Sequence, residues 1–264
     1  MTDAQNTAQA PVLVSRDGRV LTITLNRPEA GNAIDFPLAG ALAEAVAQVD
    51  DTVGAVLILG AGRHFSVGGD IGGFAQAADP QKFLTDLATD LHVGVAALAK
   101  LDVPVVIGAQ GGVGGAGMSL LGVGDVVVAG ESAKLRPAYL AIGLTPDGGM
   151  SWTLPRTLGH ARFMDLLMTG DLLTAAQALD AGVVSRVVAD DEVTETATTL
   201  ARRLADGPTD SFARLKTLVR EGRERTFDEQ LAAEAEQIGI SAASASGQEG
   251  VAAFLGKRAP NFPH

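Results

Sequence analysis

Apolar residues recur along this chain at two spacings, and the alternation between them predicts an α/β domain. Between residues 12 and 26, two short apolar stretches flank Asp17-Gly18. That residue pair suits the positive φ of a tight hairpin turn. A loop over 26–32 follows. Leu38, Leu42, Val46 and Val49 then share one face of a helix predicted over 33–49. Residues 53–59 form an apolar run with β-branched residues, which reads as a buried strand. Asp79-Pro80 opens a long helix running to about Lys100, because proline is tolerated in a first turn. Residues 103–107 and 125–129 read as two more buried strands, separated by a Gly-rich loop and a short helix. Strands alternating with helices predict a parallel sheet with helical crossovers. From about Gly159 the pattern changes to successive helices, including 190–206, 208–222, 226–243 and 247–256. The expected organisation is an α/β core over 1–190, led by a flexible tail over 1–10, and a helical region over 191–264.

Composition narrows the function classes. Aromatic residues make up only 4% of the chain, so Val, Leu, Ile and Ala must fill the core. A net charge of −11 argues against an electrostatic grip on nucleic acid. The absence of cysteine excludes disulfides, thiolate metal sites and Cys nucleophiles. The first ten residues have neither the basic nor the apolar segment of a signal peptide, and no run approaches a membrane span. A cytoplasmic protein with no membrane contact is expected.

Candidate chemistry centres on two Gly-rich loops, over 60–73 and 111–117, each following a predicted buried strand. Loops of this kind expose backbone N–H groups, and two facing each other could hold a developing oxyanion. The competing reading is that the glycines only permit tight turns. A second alternative is a dinucleotide-binding turn, since Gly112, Gly114 and Gly117 match G-x-G-x-x-G and Glu131 ends the next strand. Against it, the helix over 118–123 is far shorter than such a crossover requires. Thr145-Pro146-Asp147-Gly148 has the residues of a type I turn, with Asp147 either a turn former or catalytic. His92 falls within a helical pattern, Asp70 is placed to cap a helix beginning near Ile71, and Asp125 reads as structural. His64 and His160 carry little signal.

Taken together, the motifs resemble the enoyl-CoA hydratase/isomerase (crotonase) superfamily over nearly the whole chain. They are Asn26-Arg27-Pro28 with Asn32-Ala33-Ile34, the loop Gly62-Arg63-His64-Phe65-Ser66-Val67-Gly68-Gly69-Asp70, Pro104-Val105-Val106 before the second loop, and Gly143-Leu144-Thr145-Pro146-Asp147-Gly148-Gly149. Leu167-Met168-Thr169-Gly170 and the end around Phe254 and Lys257 continue the resemblance. The resemblance implies a ClpP/crotonase-like ββα-spiral core with a C-terminal helical trimerisation layer, hence a homotrimer or hexamer. It implies an acyl-CoA thioester substrate, coenzyme A being part of the substrate, and no metal or redox cofactor. Gly69 and Ala116 would supply the oxyanion N–H groups, although Ala116 stands where glycine is more usual. Contacts to the CoA thioester would come from Arg27, Ala33, Gly68, Asp70, Ile71 and Gly115, with Phe254 and Lys257 reaching in from a neighbouring subunit. The family's CoA-contacting lysine after the first loop is absent, because Gly72 stands there.

The sequence departs from the hydratase pattern at one pair of positions. Where hydratases carry two glutamates, this chain has Ser119 and Tyr139. Neither is a carboxylate base at neutral pH, since a phenol ionises near pH 10 and a serine needs its own activator. Asp147 matches a catalytic aspartate in two branches, the phenylacetate-pathway epoxide/enoyl-CoA isomerases and 4-chlorobenzoyl-CoA dehalogenase. The motifs are closer to the isomerase branch. His92 and Tyr139 match the dehalogenase's water-activating histidine and, with tyrosine for tryptophan, its ring-contacting residue. The expected activity is therefore an enoyl-CoA isomerase with Asp147 as acid/base. The alternatives are a dehalogenase or hydrolase with an Asp147 nucleophile and His92 base, residual hydration, or CoA binding without turnover.

Overall fold

A computed structural model describes residues 10–264, so the tail expected over 1–10 lies, apart from Ala10, outside the described residues. Strands β1 (Val12–Asp17) and β2 (Val20–Leu25) form the predicted hairpin. Four further strands, β3 (Ala55–Gly60), β4 (Val105–Ala109), β6 (Val126–Gly130) and β9 (Arg186–Val188), extend it in parallel. The resulting six-stranded order is β1-β2-β3-β4-β6-β9. A second sheet joins β5 (Gly112–Gly114), β7 (Lys134–Arg136) and β8 (Leu173–Thr174) in the order β5-β7-β8. No strand of this second sheet exceeds three residues, so none carries a readable apolar alternation.

Side-chain alternation gives the large sheet two buried faces. Val56, Ile58, Val105, Ile107 and Val127 pack toward helices α1 (Phe36–Val46) and α3 (Pro80–Lys100). The predicted helix over 33–49 starts later, because the Asp35 side chain accepts the Leu38 N–H at 2.9 Å and so caps the first turn. Helices α1 and α3 approach closely at Gly94, where a Cβ would lie 3.2 Å from Leu42. Near the start of both helices the Phe36 and Phe83 rings meet edge to face at 5.2 Å. On the opposite face, Ala55, Leu57, Val106 and Val128 meet Ala197, Leu200, Ala201 and Ala205 of α8 (Val193–Ala205). Fully burying a residue such as Leu200 contributes about 1.5–3 kcal/mol.

Between the second Gly-rich loop and the C-terminal region lie α4 (Gly115–Leu121), α5 (Met150–Leu158), α6 (His160–Thr169) and α7 (Ala175–Asp180). A short α2 (Ile71–Ala75) follows the first loop. The last helices are α9 (Thr209–Glu221), α10 (Phe227–Ala243) and α11 (Ala245–Leu255). No residue of α9 or α10 is buried, and Phe227, Ile238 and Phe254 are 77%, 72% and 83% exposed. Lys216 of α9 reaches the core, donating to the Val103 carbonyl at 2.9 Å and pairing with Asp125. Asp125 also accepts the Val105 N–H at 2.7 Å, the structural role its position suggested. Among the described residues, no helix is long and apolar enough to cross a membrane.

Candidate active site

The site begins with a buried amide. Asn32, left-handed at φ 56°, is fully buried in the loop before α1. Its Nδ2 donates to the carbonyls of Ala61, His64 and Phe65 at 2.8–3.0 Å, and its Oδ1 accepts the Arg27 N–H at 2.8 Å. The loop after β3 is thereby held against the loop after β2. Further bonds complete the clamp: Ile34 N–H to the Gly68 carbonyl at 2.7 Å, and Asp70 N–H to the Ile34 carbonyl at 2.9 Å. The second Gly-rich loop docks on the first. Gly114 N–H donates to the Ser66 carbonyl at 2.9 Å, and Gly112 N–H to His64 Nδ1 at 2.8 Å. His64 and Asn32 are thus the latches of the site. For His64, nothing in its local sequence marked the role.

Contact between the loops demands glycine. A Cβ on Gly114 would lie 2.6 Å from the Val67 carbonyl oxygen, and Gly68 has φ 105°. This packing brings Gly68, Gly69, Gly115 and Ala116 to the wall of one cleft of about 400 Å³. The backbone N–H groups of Gly69 and Ala116 have no acceptor among the described residues. Unpartnered N–H groups at a cleft wall are suited to an anionic oxygen. The rest of the wall is largely apolar, including Val67, Phe74, Leu84, Leu87, Ala88 and Ile142.

Asp147 and Tyr139 line the same cleft. The hydrogen-bonded turn differs from the one expected over 145–148. Met150 N–H donates to the Asp147 carbonyl at 3.1 Å, and Gly148 and Gly149 have φ 58° and 81°. The turn therefore spans 147–150, with positive φ at both central positions, a conformation that its two glycines accept without strain. Tyr139 Oη donates to Asp147 Oδ1 at 2.6 Å. Ser119 Oγ lies 3.1 Å from Tyr139 Oη and donates to the Asp147 carbonyl at 2.9 Å. Burial first, then the charge and hydrogen bond of Asp147, push the Tyr139 phenol far above its ordinary ionisation range. It remains a proton donor to the carboxylate at neutral pH. Asp147 Oδ2 has no hydrogen-bond partner among the described residues, and it is not buried.

Other expected residues fall in different places. Arg27 pairs with Asp35 at 3.1 Å and Asp70 at 3.3 Å, and it also donates to the Ala33 carbonyl, so its guanidinium braces the first loop. Asp70 caps α2 through Oδ1, accepting from Gly72 and Gly73 at 3.1 and 3.3 Å. Ile71 lines the cleft and is half exposed. His92 is exposed on α3 and does not line the cleft; its Nε2 accepts the Gly148 N–H at 3.0 Å. Phe254 and Lys257 do not line the cleft of their own chain either.

The model for "Enoyl-CoA hydratase/isomerase" matches residues 15–264. The chain belongs to the enoyl-CoA hydratase/isomerase family. This crotonase-family chain is 40% identical over 249 residues to a 1,2-epoxyphenylacetyl-CoA isomerase of Escherichia coli (strain K12), covering 92% of this chain and 94% of that protein. It is 33% identical to a 2,3-dehydroadipyl-CoA hydratase of the same organism over 95% and 98% of the two chains. The crystal structure of an enoyl-CoA hydratase from Polaromonas sp. JS666 superimposes with a TM-score of 0.91 at 31% identity, covering 96% of this chain and 99% of that one. The α/β crotonase fold with C-terminal helices is thereby established, and family membership implies an acyl-CoA substrate. The relatives include both isomerases and hydratases.

Proposed function

We propose that this enzyme is an acyl-CoA isomerase that moves a 3-enoyl double bond to the 2-position. The observation carrying this reading is that one available carboxylate and two unpartnered N–H groups line the same mostly apolar cleft. The thioester oxygen would lie between Gly69 and Ala116. Asp147 Oδ2 takes a proton from C2, and the electron pair moves into the thioester carbonyl to give a dienolate. The same carboxyl then protonates C4, the carbonyl reforms, and the double bond rests between C2 and C3. Each oxyanion donor contributes about 2.7–4 kcal/mol to such a barrier. A positioned base contributes roughly 10²–10⁴-fold.

Holding and activating a water by two glutamates has no counterpart here. The cleft's other carboxylate, Asp70, is engaged by Arg27 and the start of α2, and Ser119 and Tyr139 stand where hydratases have glutamates. The nucleophile reading, with His92 activating water, is weakened because the His92 acceptor nitrogen faces Gly148 N–H. The exposed apolar side chains of α9, α10 and α11 support a homotrimer or a pair of trimers. In such an assembly Phe254 and Lys257 would reach the CoA of a neighbouring subunit.

The test is product analysis by NMR and mass spectrometry after incubation with 3-enoyl-CoA thioesters. Wild type is expected to yield the 2-enoyl isomer, and Asp147→Asn to lose about 10²-fold or more. Full activity of Asp147→Asn on every substrate the wild type converts would sink the assignment. A ring epoxide of phenylacetyl-CoA, suggested by the isomerase relative, belongs in the same panel.

A further inference from the structure

The hydrogen bonds around Asp147 form a ring that begins and ends on that residue. Its carbonyl accepts from Ser119 Oγ at 2.9 Å, Ser119 Oγ lies 3.1 Å from Tyr139 Oη, and Tyr139 Oη donates to Asp147 Oδ1 at 2.6 Å. A ring that joins the main chain and the side chain of one residue restrains the two torsions between them. Ser119 is fully buried, so water does not compete for its hydroxyl, and Tyr139 is nearly buried at the cleft wall. Packing leaves Ser119 little room to move, since a Cβ on Gly148 would lie 2.7 Å from the Ser119 Cβ. Oδ1 is occupied by the phenol, and Oδ2 is the oxygen left for proton transfer.

We propose that Ser119 is a positioning residue that acts through Tyr139, locking the Asp147 carboxyl so that Oδ2 alone exchanges protons with the substrate. The proposal rests on the isomerase reading above. It accounts for two hydroxyls facing each other beside the one available carboxylate that the described residues bring to the cleft. Proton counting makes the ring specific. With Asp147 ionised, the hydroxyls supply two protons for three short contacts, so the Ser119 proton is shared between the Asp147 carbonyl and Tyr139 Oη. Removing Ser119 takes away the anchor of the phenol, so phenol and carboxyl, still bonded to each other, can shift together toward the cleft.

A 3-hexenoyl-CoA deuterated at C2 reads this directly in ordinary water. A locked carboxyl returns part of the deuterium to C4 of the same molecule, whereas a turning one exchanges it with solvent. Ser119→Ala is expected to lower kcat about tenfold at unchanged KM, equivalent to about 1.4 kcal/mol, and to lower the deuterium retained at C4. In a Tyr139→Phe background, Ser119→Ala should cause a much smaller further loss, because what remains to it there is its bond to the Asp147 carbonyl. Unchanged kcat and deuterium retention in Ser119→Ala, or losses that multiply with those of Tyr139→Phe, would overturn the proposal.

The chain holds a single tyrosine, so its ¹³Cζ resonance reports Tyr139 without any substrate. Ser119→Ala should move that resonance when Asp147 is present and much less in an Asp147→Asn background. An equal displacement in both backgrounds, or none, overturns the ring. If wild type isomerises no 3-enoyl-CoA, the function reading fails and this resonance alone decides whether the ring exists to serve another reaction.

Discussion

A single methyl group added at Gly114 tests whether the docking of the two Gly-rich loops builds the oxyanion site. Its Cβ would lie 2.6 Å from the Val67 carbonyl oxygen and 3.1 Å from the carbonyl carbon. Both atoms are backbone, so no side chain can rotate away. The loops must separate by about 0.4 Å or more to reach even the tightest tolerated contact. The Gly114 N–H to Ser66 bond, 2.9 Å long, lies at the same junction and would stretch. Overpacking of this kind costs about 1–3 kcal/mol, and a weakened hydrogen bond adds about 1 kcal/mol. For a chain of this size the melting temperature of Gly114→Ala should fall by about 4–15 °C. Ala116 lies two residues further on, so its N–H shifts relative to Gly69. The loss of one aligned donor lowers kcat by about 10²–10³-fold. The assay is the isomerase rate under saturating substrate, with circular dichroism to follow unfolding. Gly40→Ala, on an exposed face of α1 with nothing within 4 Å of the new Cβ, is the matched control. It should stabilise the helix by up to about 1 kcal/mol. A Gly114→Ala enzyme with normal kcat and melting temperature would refute the reasoning.

Two further predictions follow from polar contacts away from the carboxyl ring. His92→Gln keeps an acceptor within reach of Gly148 N–H, so it should retain most isomerase activity, whereas His92→Ala should lose about 1 kcal/mol of stability; complete inactivation of His92→Gln at normal folding would restore His92 as a chemical base. Burial opposes ionisation of Asp210, yet hydrogen bonds from Arg214, Ser246 and Ser244 hold its pKa at about 2, below the ordinary 3.8. A depressed carboxylate pKa contributes stability that is present above the unfolded value and lost as pH falls through the folded one. Acid unfolding should therefore loosen the C-terminal helices between about pH 4 and 2, and Asp210→Asn should flatten that limb of a circular-dichroism titration.

The large-scale pattern was legible because it is local. Apolar runs such as 53–59 and 125–129 predicted buried strands, Asp79-Pro80 marked the start of α3, and the two Gly-rich loops fell where the cleft is built. Asp147 and the pair Gly69 and Ala116 were singled out by the family resemblance, and they line one cleft. Less local features escaped. Strands β5, β7 and β8 are too short to show a period, and they pair residues some twenty to forty positions apart. Leu140 is 42% exposed and does not line the cleft, although Ile142 two residues on does. It lies in a single 3₁₀ turn, whose facing no helical period predicts.

By itself, the sequence determined the long strands and helices, the hairpin turn at Asp17-Gly18, and the absence of glutamates at 119 and 139. These are properties of a residue and its near neighbours. Only the tertiary structure decided that His64 latches the second loop, that Arg27 is engaged by Asp35 and Asp70, and that His92 turns its acceptor nitrogen to Gly148. It also decided that Ser119, Tyr139 and Asp147 close one ring. Such contacts join residues up to fifty-six positions apart. They depend on which strands pair and in what register, and no local spacing along the chain encodes that.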